Sequence, residues 1–464
     1  MLGSALIALT LPEVLVRSAH LHGARVAVVE GELRRTYAET IERSRRLAAV
    51  LERRGARPGD RIAILERNTA RYLEAYFACA WAGFVIVPLN LRLAKAELAA
   101  IVADAEPKMF VDDDAEREMA RAAPLEPVSL PLDAPSAIYY TSGTTGEPKG
   151  VVLSQGAIVA GITDALYALA LQPDDVWLHA APLFHLAGAC AIWGVTLVGA
   201  RHVMMHFEPG TLVDLVARER VTKTSLPPTL INMVVNQRGG DFSSLRRVSY
   251  GGSPMPPSVY ARASEVLPCE LLQTYGITET AGFVCCRLPG DGAPPESVGW
   301  PVPNARVRTH DGEVWVAGPK LMSGYWRKPR ASAEALQDGW YRTGDIGHLD
   351  ANGTLTLTGR KKDMIITGGE NVYSVEVENV LGAHPAVHEA AVFGVPDERW
   401  GEAVRAVVVL HAGASASEAD LIDWCRARIG GYKVPKSIVL AREPLPKSGP
   451  GKIAKHLVRK TYSS

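Results

Sequence analysis

Residues 141–150 of the chain are Thr141-Ser142-Gly143-Thr144-Thr145-Gly146-Glu147-Pro148-Lys149-Gly150. The three glycines of this segment release the backbone into turns that other residues resist, and such turns can aim successive N–H groups at an anion. The hydroxyl groups and the Lys149 ammonium add further donors. Apolar runs at 137–140 and 151–153 flank the segment. We therefore predict a strand, a phosphate-binding loop and a second strand.

This loop differs from the Walker type, in which a hydroxyl residue directly follows Gly-Lys. Here Lys149 follows Pro148, and the pair Gly451-Lys452 is followed by Ile453. Phosphate binding of the Walker kind at a helix terminus is therefore not predicted. Taken alone, the segment could also be a hairpin turn rich in small residues.

The composition is that of a globular protein. The chain has 464 residues, of which 47% are hydrophobic and 22% charged. Fifty basic and fifty acidic residues cancel, so we predict no nucleic-acid partner. The longest uncharged apolar run, 186–200, is too short to span a bilayer, and the N-terminal residues lack the basic region of a signal peptide. Six cysteines without zinc spacing favour a reducing, cytoplasmic compartment.

Apolar patterns along the chain predict an α/β protein with two domains. Up to about residue 135, helical and strand patterns alternate, which favours doubly wound sheets. A hydroxyl at Thr36 and an acid at Glu39 predict a helix start. After about residue 290, turns such as Asp311-Gly312 predict a small antiparallel or β-barrel-like piece. We predict a large domain over 1–359 and a small, mobile α+β domain over 360–464.

The opening segment matches the T-S-G-T-T-G-x-P-K-G pattern and so resembles the phosphate loop of the adenylate-forming superfamily. That superfamily includes acyl-CoA synthetases, beetle luciferases and the adenylation domains of peptide synthetases. The resemblance covers roughly Thr36 to Lys460, and further motifs follow in the family's order. They are PLFH at 182–185, YGGSP at 250–254, QTYGITET at 273–280, YRTGD at 341–345, GRKKD at 359–363, GGEN at 368–371 and PKSGPGK at 446–452.

The resemblance implies an ATP-dependent carboxylic acid:CoA ligase, with ATP, Mg²⁺ and coenzyme A as cofactors. Such an enzyme forms an acyl-adenylate and then a thioester, releasing pyrophosphate and AMP. A carboxylate is a poor electrophile, and AMP is a good leaving group once the adenylate has formed. Catalysis of this kind depends on positioning and charge stabilisation. The alternative is a stand-alone adenylation enzyme that loads an acyl group onto a carrier-protein thiol.

The same resemblance implies three groups of cofactor-binding residues. The phosphate loop would contribute Thr141, Ser142, Gly143, Thr144, Thr145, Gly146 and Lys149. The adenosine would be held by Gly251, Gly252, Ser253, Thr274, Tyr275, Gly276, Asp345 and Arg360, with Tyr275 stacking on adenine and Asp345 binding the ribose hydroxyls. Coenzyme A would be held by Gly368, Gly369, Trp400, Tyr432 and Lys436.

The catalytic residues implied by the resemblance are Lys452, Thr278, Glu279 and His185. Lys452 would bridge the attacking carboxylate and the α-phosphate, which Thr278 would hydrogen-bond. Glu279 and Thr141 would hold Mg²⁺. His185 would gate the entrance for carboxylate and thiol rather than act as a general base.

The small domain would have to rotate between the two half-reactions. Lys452 acts in adenylation, whereas the Gly368-Gly369 turn resembles one that lines the thiol tunnel, and both lie on the small domain. We expect the rotation to occur about Lys362.

The expected substrate is a small-molecule carboxylic acid without a second charge. His185 follows Phe184 in the pocket motif, which argues against an amino acid, and Thr274 stands where malonate-type ligases carry arginine. An aryl acid or a medium-to-long fatty acid remains, and the sequence does not choose between them. A homodimer also stays open. The predicted pocket residues are Leu186, Ala187, Gly188, Trp193, Pro228, Thr229, Ala281, Gly282 and Phe283.

Overall fold

A computed structural model describes residues 9–142, 148–237, 239–294, 296–367, 370–447 and 453–463, without the side chain of Ser142. The helices are α1 (Leu11–His22), α2 (Tyr37–Arg53), α3 (Ala70–Ala82), α4 (Lys95–Ala105), α5 (Asp113–Met119), α6 (Gln155–Leu169), α7 (Leu186–Ala189), α8 (Ile192–Val198), α9 (Pro209–Glu219), α10 (Pro228–Val235), α11 (Pro257–Val266), α12 (Pro329–Ala335), α13 (Ser374–Gly382), α14 (Glu418–Arg426) and α15 (Lys455–Tyr462). The strands are β1 (Val26–Glu30), β2 (Leu33–Thr36), β3 (Arg61–Ile64), β4 (Val85–Pro88), β5 (Met109–Phe110), β6 (Pro135–Ser142), β7 (Pro148–Ser154), β8 (Val176–His179), β9 (Arg201–Met204), β10 (Lys223–Ser225), β11 (Arg247–Gly251), β12 (Glu270–Ile277), β13 (Gly282–Arg287), β14 (Trp300–Pro301), β15 (Arg306–His310), β16 (Glu313–Ala317), β17 (Gly324–Tyr325), β18 (Leu336–Gln337), β19 (Trp340–Leu349), β20 (Leu355–Arg360), β21 (Met364–Thr367), β22 (Glu370–Tyr373), β23 (Val387–Asp397), β24 (Gly401–Leu410) and β25 (Ser437–Ala441).

Two large sheets form the body of the protein. The first has the strand order β14-β13-β12-β11-β10-β8-β9-β1-β2, and the second has the order β17-β7-β6-β4-β3-β5. In the first sheet β10 pairs in parallel with both β8 and β11, and in the second β4 pairs in parallel with both β3 and β6, as expected where helices connect the strands. Helix α3 is buried at every residue except Arg71, and its side chains share one core with residues of both sheets. The predicted doubly wound α/β architecture is confirmed.

Strands β6 and β7 form the antiparallel hairpin that carries the phosphate-loop sequence. Thr141 pairs with Lys149, and Ser142 with Pro148, so the two strands stay paired up to the residues that flank 143–147. The strand–loop–strand prediction is confirmed for the strands. Residues 143–147 lie outside the described part of the chain.

Two smaller sheets follow. Strands β15, β16, β18, β19 and β20 form an antiparallel sheet. Strands β21 to β25 form the last sheet, which packs with α13 and α14 around a core made only of residues from 365 onwards. The protein therefore has a large N-terminal part and a smaller C-terminal domain, as predicted. The boundary at 359/360 stays a prediction. Within the described ranges, no helix combines the length and apolarity that a bilayer span requires.

Helix α2 begins with a capping box formed by Thr36 and Glu39. At the start of α2, the Glu39 amide donates to Thr36 Oγ1 at 3.2 Å, and the Thr36 amide donates to the Glu39 carboxylate at 2.7 Å. This capping box was predicted, and the structure confirms it. The same box stands at Thr10 and Glu13, where it starts the unpredicted helix α1.

A buried histidine pair lies on the neighbouring strands β8 and β9. His179 Nε2 is 2.9 Å from His202 Nδ1, and His202 Nε2 is 3.2 Å from Thr196 Oγ1. Thr196 donates its own proton to the Ile192 carbonyl, so its oxygen accepts from His202, and His202 Nδ1 accepts from His179. With both rings neutral, each N–H and O–H group in this chain of hydrogen bonds therefore has an acceptor. Burial lowers the pKa of both rings, and that of His179 falls to about 3.

We expect the histidine pair to make the protein sensitive to acid. A depressed folded-state pKa means that the unfolded state binds more protons between pH 6.5 and about 3, so the stabilisation is complete above pH 6.5 and is lost as the pH falls. Each additional proton that the unfolded state binds lowers the free energy of unfolding by about 1.4 kcal/mol per pH unit as the pH falls. Urea unfolding at a series of pH values measures the slope. His202→Asn should reduce it, whereas replacing the exposed His310 with Gln should not. Equal slopes in all three proteins would contradict the assignment.

Candidate active site

Three predicted adenosine-binding residues meet around one carboxylate. The Tyr275 hydroxyl donates to Asp345 Oδ2 at 2.6 Å, and Arg360 Nε donates to Asp345 Oδ1 at 2.8 Å. Burial, reinforced by Asp345, raises the pKa of Tyr275, so the phenol keeps the proton that it donates. Because β19 pairs with β20, Asp345 and Arg360 stand directly opposite each other. The arrangement offers a fixed carboxylate beside an aromatic ring.

Glycines let the strands of this site approach closely. A Cβ on Gly251 would lie 2.3 Å from the Thr274 carbonyl oxygen, and one on Gly276 would lie 2.4 Å from the Gly282 oxygen. Any side chain there would push β11, β12 and β13 apart. Gly252 has a φ of +78°, where a side chain would be strained. The close approach of the strands and the backbone conformation therefore require glycine at these positions whether or not a ligand binds. The adenine slot stays a prediction.

The turn between β12 and β13 carries Thr278 and Glu279 in a short 3₁₀ segment, Thr278–Thr280. The Glu279 carboxylate is buried and accepts a hydrogen bond from the Tyr325 hydroxyl at 3.0 Å. Lys149 Nζ lies over the same ring, 5.1 Å from its centroid. Tyr325 therefore joins the Glu279 turn to the phosphate-loop hairpin. Tyr325 lies outside the predicted motifs.

Thr141 and Glu279 fit the requirements of Mg²⁺. Both provide oxygen donors, which this ion prefers, and an ion bound partly by substrate phosphates needs few protein ligands. In the part of the chain that the structure describes, no basic side chain forms an ion pair with Glu279. Nor do the described residues contain a cluster of three or more metal-binding side chains. A buried carboxylate without a cationic partner suits a bound cation.

We expect Glu279→Gln to raise the Mg²⁺ concentration needed for half-maximal adenylation. The amide keeps the shape and can still accept from Tyr325, but it lacks the charge that binds the metal. Pyrophosphate exchange across a Mg²⁺ titration measures the effect, and the melting temperature reports on folding. Glu265→Gln, on the exposed surface of α11, is the control. An unchanged Mg²⁺ dependence in Glu279→Gln would exclude Glu279 as a metal ligand.

The segment that carries His185 is held in place by Asn68. The Asn68 amide donates to the carbonyl oxygens of His179 and Ala181 at 2.8 and 2.9 Å, and its oxygen accepts from the Leu183 amide at 2.9 Å. The half-buried His185 packs on Phe184, with 4.7 Å between ring centroids, and precedes α7. Asn68 is buried and lies more than 100 residues before this motif in the sequence, so no local pattern indicates its role. The gating role of His185 stays a prediction.

A largely enclosed cavity lies between β6, α6 and α8, and it reaches both active-site motifs. Its lining includes Leu186, directly after His185, and Ala281, two residues after Glu279. Trp193 completes the three predicted pocket residues found there. The other predicted pocket residues do not line it: Ala187 is exposed, Phe283 packs in a separate core, and Gly188, Pro228, Thr229 and Gly282 lie elsewhere.

The residues predicted for coenzyme A lie on the surface of the small domain. Trp400 and Tyr432 are exposed, as is Lys436. Arg399 already covers the Trp400 ring at 4.6 Å, and Lys433 is tied to Glu376 at 2.6 Å. Within the described residues, no hydrogen bond, ion pair or ring contact joins Trp400, Tyr432 or Lys436 to the Asp345 site, so the coenzyme A group stays a prediction.

Several predicted residues lie outside the described residues: Gly143, Thr144, Thr145 and Gly146 of the loop, the Ser142 side chain, the Gly368-Gly369 turn and Lys452. Their neighbours are described. Thr367 of β21 pairs with Glu370 of β22, the described residues on either side of residues 368–369. Lys447 and Ile453, the described residues on either side of residues 448–452, form an isolated antiparallel β-bridge. Ser253 is half-buried beside Gly252.

Comparison with known proteins extends these observations to most of the chain. The AMP-binding enzyme family model matches residues 15–326, and the AMP-binding enzyme C-terminal domain model matches 376–452. A feruloyl-CoA synthase of Amycolatopsis sp. is 38% identical and covers 96% of this chain and 98% of its own. An indoleacetate–CoA ligase of Aromatoleum aromaticum is 35% identical, with 97% of each chain covered.

Solved structures agree with the sequence relatives. The ATP-bound MatB of Rhodopseudomonas palustris has a TM-score of 0.91 and 29% identity, covering 98% of this chain and 99% of its own. The o-succinylbenzoate CoA synthetase of Bacillus subtilis, in complex with its acyl-adenylate, has a TM-score of 0.88 and 30% identity, covering 96% and 97%. The motifs, the paired strands around Asp345 and both family models therefore agree, and this chain belongs to the AMP-binding enzyme family.

Proposed function

We propose that this protein is an ATP-dependent carboxylic acid:CoA ligase of the AMP-forming type. It uses ATP, Mg²⁺ and coenzyme A, and it passes through an acyl-adenylate. The observation that supports this most directly is the meeting of Tyr275, Asp345 and Arg360 within hydrogen-bond distance. Relatives that match nearly the whole chain are named as CoA ligases for ferulate, indoleacetate and 2-succinylbenzoate.

Each half of the site has a separate task in this proposal. Asp345 and Arg360 orient the ribose, and Tyr275 covers the adenine. Lys149 and the loop hydroxyls attract the phosphates, and Thr278 donates to the α-phosphate. When bound through Glu279 and Thr141, Mg²⁺ would neutralise phosphate charge. Lys452 stabilises the charge that shifts from the carboxylate to the phosphate.

The acid in this proposal is an uncharged monocarboxylic acid. No Asp, Glu, Lys, Arg or His occurs among the residues found to line the cavity beside Leu186 and Ala281. A second carboxylate would lose its hydration there without gaining a partner, which is costly. Thr274 also leaves the position before Tyr275 without the arginine expected of a malonate-type ligase.

The decisive experiment measures AMP release for a panel of carboxylic acids with and without coenzyme A. We expect AMP and an acyl-CoA from aryl or fatty monocarboxylates only when coenzyme A is present. Pyrophosphate release without thioester formation would favour transfer to a carrier-protein thiol, the activity named for a Streptomyces coeruleorubidus relative at 35% identity. ATP consumption with no acid of any class would contradict the proposal.

Three further statements stay predictions. A cytoplasmic location is supported by six free cysteines, of which Cys79, Cys285, Cys286 and Cys425 are buried. A homodimer would be tested by light scattering. Rotation of the small domain about Lys362 is supported by its place in the 3₁₀ segment Lys361–Asp363, which connects β20 to β21.

A further inference from the structure

Tyr325 contacts two opposite charges of the active site. Its hydroxyl donates to Glu279 Oε1 at 3.0 Å, and Lys149 Nζ lies over its ring, 5.1 Å from the centroid. Within the described ranges, Lys149 and Glu279 form no ion pair with each other or with any other residue. Opposite charges that share one neighbour attract each other, so the absence of an ion pair between them requires a physical cause.

The backbone fixes the place of the Tyr325 ring. Tyr325 lies on β17, where it pairs with Val151 of the phosphate-loop hairpin, and its N–H donates to Ser332 Oγ at 2.8 Å. Three residues earlier, the Met322 N–H donates to the Glu279 carbonyl oxygen at 2.8 Å. This part of the chain is therefore bonded both to the hairpin and to the Glu279 turn, and it holds the ring beside both.

The two contacts of Tyr325 leave both charges intact. A phenol is a neutral donor, so its hydrogen bond satisfies one oxygen of Glu279 without cancelling the negative charge. A cation over an aromatic ring is attracted by the negative face of the ring and likewise keeps its charge. An ion pair between Lys149 and Glu279 would be stronger than either contact, and in it each charge would neutralise the other.

We infer that Tyr325 is a positioning residue that prevents Lys149 from pairing with Glu279. The ammonium group thereby stays available to substrate phosphates, and the carboxylate stays available to Mg²⁺. This inference rests on the proposed function, because it takes Glu279 as the carboxylate of the metal site. It adds to that function a task for a residue outside the motifs.

The first test measures metal binding by electron paramagnetic resonance, with Mn²⁺ titrated into the protein in the absence of nucleotide. Tyr325→Leu removes both the ring and the hydroxyl, so Lys149 should pair with Glu279 and weaken Mn²⁺ binding roughly tenfold or more. Tyr325→Phe keeps the ring beneath Lys149 and should weaken binding less than about threefold. Adding Lys149→Met to Tyr325→Leu should restore binding to within about twofold of wild type, because no cation then pairs with Glu279.

Trp326→Leu is the matched control. Trp326 directly follows Tyr325, and its ring also has a cation over it, with the Arg61 guanidinium 5.2 Å from the centroid. In the part of the chain that the structure describes, no hydrogen bond or ring contact joins the Trp326 side chain to Glu279 or Lys149. Its replacement should leave Mn²⁺ binding unchanged. Melting temperatures confirm that each variant folds.

A crystal structure of Tyr325→Leu provides a second readout, which depends on neither metal binding nor activity. We expect Lys149 Nζ within about 4 Å of a Glu279 carboxylate oxygen, which is the distance of an ion pair. A longer distance would overturn the inference. The crystal structure decides the inference by itself if the wild-type protein binds no Mn²⁺ without nucleotide.

The outcomes separate this inference from the proposed function. Equal losses of Mn²⁺ binding in Tyr325→Phe and Tyr325→Leu, or no recovery with Lys149→Met, would overturn the inference while the ligase activity stands. An equal loss in Trp326→Leu would also overturn it, because the packing of the whole segment would then control the metal site. If no acid releases AMP, the proposed function fails, and the crystal structure of Tyr325→Leu still decides whether Tyr325 separates the two charges.

Discussion

Replacing Lys452 with alanine is expected to slow acyl-adenylate formation by about 10²–10³-fold, the loss typical when one charge-stabilising contact is removed from a transition state. The side chain stands in the Gly-Lys-Ile motif, and its ammonium is expected to bridge carboxylate and α-phosphate only while charge moves between them. Thioester formation from supplied acyl-adenylate should be retained, because that charge has already been transferred. Pyrophosphate exchange measures the first step, and thiol consumption measures the second.

Lys460→Ala is the control for Lys452→Ala. Lys460 is exposed on α15, only eight residues further along the chain, and lies outside the motif. Its loss should leave both half-reactions within about twofold of wild type, since surface charges away from a site contribute little. Equal losses of both half-reactions in Lys452→Ala would contradict the assigned division of labour.

The second large effect concerns stability, and it comes from a buried ion pair. Lys320 Nζ lies 2.6 Å from Asp164 Oδ2, and both side chains are fully buried. Lys320 also donates to the Phe283 carbonyl, and the backbone N–H of Asn304 donates to Asp164 Oδ1 at 3.0 Å. The pair therefore connects α6 to β13, the strand that follows the Glu279 turn.

Lys320→Met should lower the free energy of unfolding by about 3–5 kcal/mol, because it leaves an uncompensated carboxylate in the core. The double variant Lys320→Met/Asp164→Leu should recover most of that loss, since an apolar pair of similar volume needs no solvation. Urea unfolding measures all three proteins. As the control, Arg262→Met breaks an exposed pair with Glu265 and should change stability by less than about 1 kcal/mol. If Lys320→Met lowered the free energy of unfolding no more than Arg262→Met, the buried pair would stabilise the protein no more than an exposed pair does.

Local sequence signals were sufficient for most of the architecture. The Thr36–Glu39 box starts a helix because both partners lie within one turn, and the apolar runs beside the glycine-rich loop pair because the loop is short. The missed helix α1 carries the same box at Thr10, so a signal was present there. Predictions of this kind succeed because the interacting groups are close in sequence.

The residues that surround the predicted site depended on contacts between distant segments. Tyr325 meets Glu279 across 46 residues, and Asn68 meets the Leu183 amide across 115. The cavity residues Tyr76 and Tyr139 belong to a helix and a strand that are 63 residues apart. Neither hydrophobic periodicity nor a sequence motif predicts these contacts, because the side chains meet only after the sheets and the helices have packed together.

The motifs were enough to predict the family, the expected chemistry and the motif residues of the site, because each motif is a short run whose backbone and charge suit a phosphate or a metal ion. Which predicted pocket residues line the cavity, and which, such as Phe283, pack elsewhere, depends instead on how the sheets and helices pack together. Ser136, Ala137 and Tyr139 of β6 all line the cavity, which strict alternation along a regular strand does not predict, and a register shift between Pro135 and Ala137 interrupts that alternation.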